Sequence, residues 1–151
     1  MGQPDAIVDA LRSTRRIGID TPVFIYHIQQ ASPRASAATA VLRAVADGRV
    51  EGVTSVITML EVTIQPLRLG RPHVADAYEA LLGDIPNLSI VDLDARVARI
   101  AAELRAAYRL RTPNALQIAA CLAYSAEAFI ANDRRLRRVM EIDVRLLEDF
   151  A

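Results

Sequence analysis

Short apolar segments alternate with helical segments along most of the chain, and this alternation constrains the fold more than any other feature. The segments that predict strands are brief and mostly apolar: residues 16–20, 50–56, 88–91, 128–131 and 144–147. Short apolar strands with helices between them are typical of a parallel sheet that is covered on both faces. We therefore expect an α/β fold with three layers, α/β/α, built on a parallel sheet of about five strands.

Capping signals predict the helices between these strands. Thr21-Pro22 and Thr112-Pro113 each read as an N-cap followed by the first helical residue, and Asp94 caps a further amphipathic helix. The remaining helices are predicted at residues 35–47, 57–65, 73–82 and 134–140. No repeat or linker interrupts the pattern, so we expect one domain over residues 1–151, with residues 1–15 as a helical N-terminal extension.

Composition excludes several classes of protein. The chain has 151 residues, 52% of them hydrophobic and 24% charged, which is typical of a globular domain and not of a disordered chain. Its single cysteine, Cys121, cannot form an intramolecular disulfide, and no signal peptide is evident, so we expect a cytoplasmic protein. Two histidines and one cysteine make a zinc cluster improbable. Because the formal net charge is zero, any site for a polyanion must arise from local arrangement.

Four oxygen-bearing side chains stand where a functional site would form. Asp20 and Asp133 are the first charged residues after two of the strands, and ligands of parallel sheets bind beyond those carboxyl ends. Glu61 lies in a largely apolar helix with no arginine three or four residues away, and Asn114 follows Thr112-Pro113. Each has a simpler interpretation: the aspartates as helix-start acids, Glu61 as a solvated residue, Asn114 as an ordinary first-turn residue. Together they suggest an oxygen-only site for Mg²⁺ or Mn²⁺, suited to phosphoester hydrolysis.

The motifs around these residues resemble the PIN-domain family, and within it the VapC-type toxins of prokaryotic toxin–antitoxin modules. The resemblance covers about residues 17–147. It is carried by residues 18–21 (GIDT), 55–58 (SVIT) leading to Glu61, 110–119 (LRTPNALQIA) and 129–133 (FIAND). It implies a PIN-like fold and a ribonuclease that depends on magnesium or manganese. It also implies a homodimer and a small cognate antitoxin as partners.

The resemblance assigns roles to residues by position. Asp20, Glu61 and Asp133 match three acids of the family, and Asn114 stands where the family carries a fourth, so the departure concerns activity and not fold. Ala131 also departs from the usual serine or threonine. The predicted catalytic and metal-binding residues are Asp20, Glu61, Asn114 and Asp133. The predicted substrate-binding residues are Thr21, Arg111, Asn132 and Arg134.

Two alternatives to an RNA-cleaving toxin stay open at this stage. The chain could be a PIN module that binds RNA or an antitoxin without cutting, because Asn114 weakens the metal site. It could also be a nuclease that uses the same cleft on DNA. For the antitoxin, we expect a groove beside Glu61 that is bordered by Met59, Val62 and Leu67.

Overall fold

Five parallel strands form a single sheet in the computed structural model, which describes residues 3–150 apart from the side chains of residues 3–5 and 8. The strands are β1 (Arg16–Ile19), β2 (Glu51–Ser55), β3 (Leu88–Val91), β4 (Ala128–Ala131) and β5 (Asp143–Leu146). Their order across the sheet is β3-β2-β1-β4-β5, and every neighbouring pair is parallel. The predicted α/β fold with a parallel sheet of about five strands is therefore confirmed.

Within residues 3–150 there are seven α-helices, one before β1 and six between strands. They are α1 (Gln3–Leu11), α2 (Thr21–Gln29), α3 (Ala35–Ala46), α4 (Val56–Arg68), α5 (Pro72–Gly83), α6 (Ala95–Tyr108) and α7 (Thr112–Ala123). None of the helices within residues 3–150 is long and apolar enough to cross a membrane. The predicted helices are all present, although the segment after β4 is a 3₁₀ helix over Arg134–Arg138 and not an α-helix.

Three details of the helix ends differ from the sequence-based prediction. Asp20, and not Thr21, is the N-cap of α2, because its carboxylate accepts a hydrogen bond from the Thr21 backbone N–H. Arg111 occupies the N-cap position of α7 without a capping side chain, which makes Asn114 the third helical residue. Pro66 lies inside α4, and the helix continues to Arg68.

The core has two parts, one on each face of the sheet. On one face, α1, α2 and α3 cover the sheet around Phe24, Ile17 and Ile19. On the other face, α6 and α7 pack around Phe129 and Ile118. Both parts contain apolar residues from the central strands, as expected for a sheet buried on both sides. The helices of both layers therefore begin close to the carboxyl ends of the strands.

Gly18 in β1 allows α7 to lie very close to the sheet. A Cβ atom at Gly18 would come within 2.5 Å of Cys121 Sγ and 2.9 Å of Phe129 Cδ1. Both distances are far below van der Waals contact, so no larger residue fits without displacing the helix. This close approach sets the position of α7 relative to the end of β1, where the acidic residues lie.

Candidate acidic site at the carboxyl end of the sheet

Asp20 lies at the point where the sheet changes direction of winding. It follows the central strand β1, whose neighbours are β2 on one side and β4 on the other, and its backbone N–H bonds the Ile130 carbonyl at 2.9 Å. Such a switch point is where ligands of open parallel sheets bind. The Asp20 carboxylate is 8% exposed and makes no ion pair with any side chain that the structure describes. A buried carboxylate without a basic partner is costly, which makes Asp20 a candidate functional residue.

Thr21 connects Asp20 to Glu61. Its hydroxyl donates to Glu61 Oε1 at 2.8 Å and lies 3.0 Å from the Thr58 hydroxyl. Glu61 is exposed as a residue, yet this contact brings one of its carboxylate oxygens to the residue that follows Asp20. The structure therefore brings Asp20, Thr21 and Glu61 together, as the expected site requires.

A buried polar network beneath these residues was missed by the sequence analysis. The Gln117 side chain in α7 is 1% exposed, accepts a hydrogen bond from the Ser55 hydroxyl, and donates to the Thr58 hydroxyl at 2.8 Å. The Thr54 hydroxyl lies 2.8 Å from the Thr58 hydroxyl and donates a hydrogen bond to the Ile19 carbonyl. One signal was present, since Gln117 is a polar residue within an otherwise apolar helix.

Opposing effects determine the charge state of Asp20. Burial is the largest cause and the nearby charges of Glu61 and Asp133 add to it, and overall the pKa of Asp20 is raised from 3.8 to about 6. Hydrogen bonds from the Thr21 backbone and the Gln117 side chain act in the opposite direction, because they stabilise the carboxylate. Glu61 and Asp133 are thus close enough to Asp20 to raise its pKa.

Asp133 is already paired with an arginine. Its carboxylate accepts from the Arg135 guanidinium at 2.8 to 3.2 Å and from the Arg135 backbone N–H at 2.9 Å. The guanidinium holds the pKa of Asp133 below its ordinary value. Neither Asp20 nor Glu61 makes a comparable ion pair within residues 6–150.

Asn114 lies beside Asp133 in a shallow pocket at the start of α7. Four arginines line the same pocket, above a floor that includes two buried leucines: Arg109, Arg111, Arg135, Arg138, Leu110 and Leu136. The structure therefore groups the four predicted metal ligands as two pairs. Asp20 and Glu61 meet through Thr21, and Asn114 and Asp133 share this pocket.

The chemistry of the donors fits a hard divalent cation, but their arrangement fits it only in part. All four side chains offer oxygen, and Asp20 and Glu61 have no basic partner that would compete with a cation. However, the Asp133 carboxylate already forms an ion pair with Arg135. In the part of the chain described, no group of three or more His, Cys, Asp or Glu side chains is arranged to hold a metal. Asp133 could join such a site only after its release from Arg135.

The other predicted substrate-binding residues occupy different surroundings. Arg111 is exposed at the start of α7. Arg134 is exposed and pairs with Glu148. Asn132 donates from Nδ2 to the Tyr26 hydroxyl at 2.8 Å, while its Oδ1 is buried without a protein partner among the described residues.

Solved structures with the same fold include several toxin–antitoxin proteins. The chain matches a structure titled VapBC2 from Rickettsia felis bound to a DNA fragment from their promoter, with a TM-score of 0.70 and 15% sequence identity over 87% of this chain and 98% of that chain. It matches DNA-bound VapBC from Salmonella typhimurium with a TM-score of 0.65 and 15% identity, over 88% and 98% of the two chains. FitAcB from Neisseria gonorrhoeae matches with a TM-score of 0.63 and 20% identity, over 85% and 95%.

Sequence comparison identifies the family. Comparison with curated protein sequences gives no significant match. The sequence model of the PIN domain, in contrast, matches residues 17–142. This range includes β2, β3, β4, all of β1 except Arg16, and all four predicted metal-binding residues, while β5 lies beyond its end. This match covers far more than half of the chain, and the chain belongs to the PIN domain family.

Proposed function

We propose that this protein is a metal-dependent endoribonuclease and the toxin of a type II toxin–antitoxin pair that acts in the cytoplasm. The observation that carries the proposal is Asp20, a buried carboxylate at the winding switch of the sheet, without an ion-pair partner among the described side chains and coupled to Glu61 and Asp133. Membership of the PIN domain family supports a nuclease activity. The similar folds of VapBC and FitAcB support the toxin assignment.

In this proposal Asp20 and Glu61 hold Mg²⁺ or Mn²⁺, and Asp133 joins them when Arg135 releases it. A cation held there would supply Lewis-acid chemistry: it would lower the pKa of water and stabilise negative charge on the scissile phosphate. Thr21 orients Glu61 by donating its hydroxyl proton to Oε1. Gln117 fixes Thr58 and the Asp20 carboxylate from below, so that the acids keep their positions when substrate enters.

A cleavage assay with a matched variant tests the nuclease proposal. The purified protein should cut single-stranded RNA in Mn²⁺ or Mg²⁺ and leave it intact in EDTA. Asp20→Asn removes the charge but keeps a side chain that can cap α2, so this variant should stay folded and lose cleavage and Mn²⁺ binding. Cleavage of DNA but not of RNA would favour the DNA nuclease instead. Equal cleavage by both proteins would show that Asp20 is not part of the site.

A PIN module that binds without cutting is the second candidate. It is favoured by two observations at the same end of the site: residue 114 is an asparagine, and Asp133 is paired with Arg135. Both features reduce the negative charge available to hold a cation. Binding of RNA or antitoxin without cleavage in either metal would establish this candidate.

A groove beside Glu61 offers a docking surface for the antitoxin. It lies between α2, α4 and α5, and combines apolar walls with a few polar groups: Ile25, Ile28, Val62, Pro66, Leu69, Val74 and Tyr78, with Gln29, Glu61, Gln65 and Arg71. Val62 was predicted to border this groove and does so. Met59 packs instead against the core, and Leu67 is exposed outside the groove. An apolar segment in this groove would end next to the acids.

A row of exposed apolar residues on α4 supports a homodimer. Val56, Leu60, Ile64 and Leu67 recur at helical spacing, and each is more than one-third exposed. Burial of such a row against a second copy would remove this apolar area from water. The groove and the row are therefore assigned to different partners.

Three leucine-to-glutamate variants separate these two surfaces. Leu69 in the groove and Leu60 in the row are both 58% exposed, and Leu81 on α5 is 40% exposed and belongs to neither. Leu69→Glu should prevent co-purification with the product of the adjacent reading frame. Leu60→Glu should yield monomers in light scattering, and Leu81→Glu should change neither result. Failure of the parent to co-purify with that product in several expression formats would count heavily against the toxin assignment.

A further inference from the structure

Three arginines around the start of α7 and the end of the 3₁₀ segment have no carboxylate partner among the described side chains, whereas their neighbours in the 3₁₀ segment do. In the 3₁₀ segment, Arg134 pairs with Glu148, Arg135 with Asp133 and Arg137 with Asp149, but Arg138 makes no ion pair with a described side chain. Arg109 and Arg111 likewise make none with the side chains that the structure describes. All three are exposed and line the pocket that contains Asn114. Three guanidinium groups without an ion-pair partner among the described side chains therefore share one pocket.

The charge of this pocket is strongly positive, although the protein as a whole has no net charge. Its lining contains four arginines and one carboxylate, Asp133, which leaves a net charge of +3. The single carboxylate is already neutralised by Arg135 through three side-chain contacts. Guanidinium groups on a fixed floor form forked hydrogen bonds to phosphate oxygens. The arginine side of the pocket is thus suited to an anion.

The backbone of Arg109 gives a second, independent reason to regard the arginine as functional. Arg109 ends α6 in the left-handed region, with φ 54°, a conformation that glycine or asparagine adopts at lower cost. A charged side chain kept at such a position suggests a use for that side chain. The turn leads directly into Leu110 and Arg111, so it also brings both arginines to the pocket.

We propose that the pocket lined by Arg109, Arg111 and Arg138 binds a phosphodiester group of the nucleic-acid strand that crosses the acidic site. The proposal rests on the proposed function, since it places the strand that this site would cut. Asn114 and Asp133 mark the boundary between the two regions: the acids hold the cation on one side, and the arginines hold the backbone on the other. Arg134, Arg135 and Arg137, which have carboxylate partners, do not contribute to this phosphate contact.

Binding of labelled single-stranded RNA in EDTA tests this pocket without any cleavage. The variants are Arg109→Gln, Arg111→Gln and Arg138→Gln, and the matched control is Arg137→Gln, which removes one charge from the same segment. Each phosphate contact contributes about 0.7 to the slope of log affinity against log salt for a single strand, which corresponds to ~5-fold in affinity at about 0.1 M salt. Each pocket variant should lose that affinity and that slope, while Arg137→Gln binds as the parent does.

A fourth variant distinguishes a lost contact from a damaged fold. Arg109→Gly suits the left-handed backbone, so it should raise the melting temperature while weakening RNA binding as Arg109→Gln does. Pocket variants that bind like the parent and like Arg137→Gln would overturn the proposal, as would a parent that binds no RNA at low salt. If the pocket variants lose binding but the parent cuts nothing in Mg²⁺ or Mn²⁺, the phosphate site stands and the nuclease proposal fails.

Discussion

The hydroxyl of Thr21 donates to Glu61 Oε1 at 2.8 Å, which connects the residue after β1 to a carboxylate on α4. The Thr21 hydroxyl oxygen also lies 3.0 Å from the Thr58 hydroxyl and 3.4 Å from Gln117 Nε2. One threonine side chain therefore joins the exposed carboxylate to the buried network of α4 and α7. Because Asp20 precedes it directly, Thr21 sets the relative position of two proposed metal ligands.

Replacement of Thr21 by valine should uncouple Glu61 from that network. Valine matches the shape of threonine but has no hydroxyl to form hydrogen bonds. Glu61 therefore loses the hydrogen bond from residue 21, and the Thr58 hydroxyl loses one of its hydrogen-bond partners. We expect cleavage and Mn²⁺ affinity to fall about 10-fold, as when supporting groups of a metal site are removed. The free energy of unfolding should fall by about 1–3 kcal/mol. Thr21→Ser, which keeps the hydroxyl, should retain most of the activity, and a Thr21→Val protein as active as the parent would contradict this role.

Gly18→Ala should destabilise the protein because the new methyl group meets Cys121 and Phe129 at less than 3 Å. Overpacking of this kind costs about 1–3 kcal/mol, measured here as the free energy of unfolding in urea. Gly83→Ala is the matched control, since nothing lies within 4 Å of a Cβ atom there. The second substitution Cys121→Ala should restore part of the loss in Gly18→Ala. No difference between the two glycine variants would mean that α7 can move away from β1 at little cost.

The strands and helices could be predicted from the sequence because their signals are local. The segment before Asp20 is apolar and rich in isoleucine, and Asp94 caps its helix as expected. The N-cap of α2 was assigned to the wrong residue, since Asp20 and Thr21 are both good capping residues. The choice depends on the sheet: the Asp20 N–H still bonds the Ile130 carbonyl in β4, so Asp20 is the last extended residue and the helix begins at Thr21, one residue earlier than predicted.

The interactions within the site could not be predicted, because they depend on which strands are neighbours. Gln117 and Ser55 are 62 residues apart in sequence, and they meet only because α7 packs over the end of β2. The Asp133–Arg135 pair was missed for a different reason. Residues two apart do not face each other on an α-helix, but Asp133 is the extended N-cap of the 3₁₀ segment, and from that position its carboxylate reaches both the backbone N–H and the guanidinium of Arg135.

Stability in the absence of metal should decrease as the pH rises through the titration of Asp20. Its pKa is raised from 3.8 in the unfolded chain to about 6 in the folded protein. Between these values the folded state binds more protons than the unfolded state, so the Asp20 contribution favours folding below pH 3.8 and is lost by the time the pH has passed 6. The shift corresponds to about 3 kcal/mol.

Asp20→Asn isolates that contribution. The variant cannot titrate at this position, so the difference in stability between variant and parent should grow in favour of the variant from about pH 4 to about pH 6 and stay constant above it. Thermal melts in EDTA at several pH values give this difference. With Mn²⁺ present, the parent should bind the metal more tightly as the pH rises, because the cation competes with the proton. A difference that does not change with pH would contradict the raised pKa.

Asn114→Asp should convert a weak site into a stronger one. The new carboxylate lies at the third residue of α7, where the helix dipole contributes about 0.3–1 kcal/mol, and it faces a pocket lined by four arginines. The variant should therefore remain folded in EDTA. It should also bind Mn²⁺ more tightly and cleave RNA faster than the parent. Cleavage is measured at saturating RNA, because the added charge lowers the net charge of the phosphate pocket from +3 to +2 and so weakens RNA binding. Asp20→Asn in the same background should abolish the gain. If the Asn114→Asp protein is folded and binds metal but is no faster than the parent, Asn114 is not the weakened ligand, and the module that binds without cutting becomes the better account of this chain.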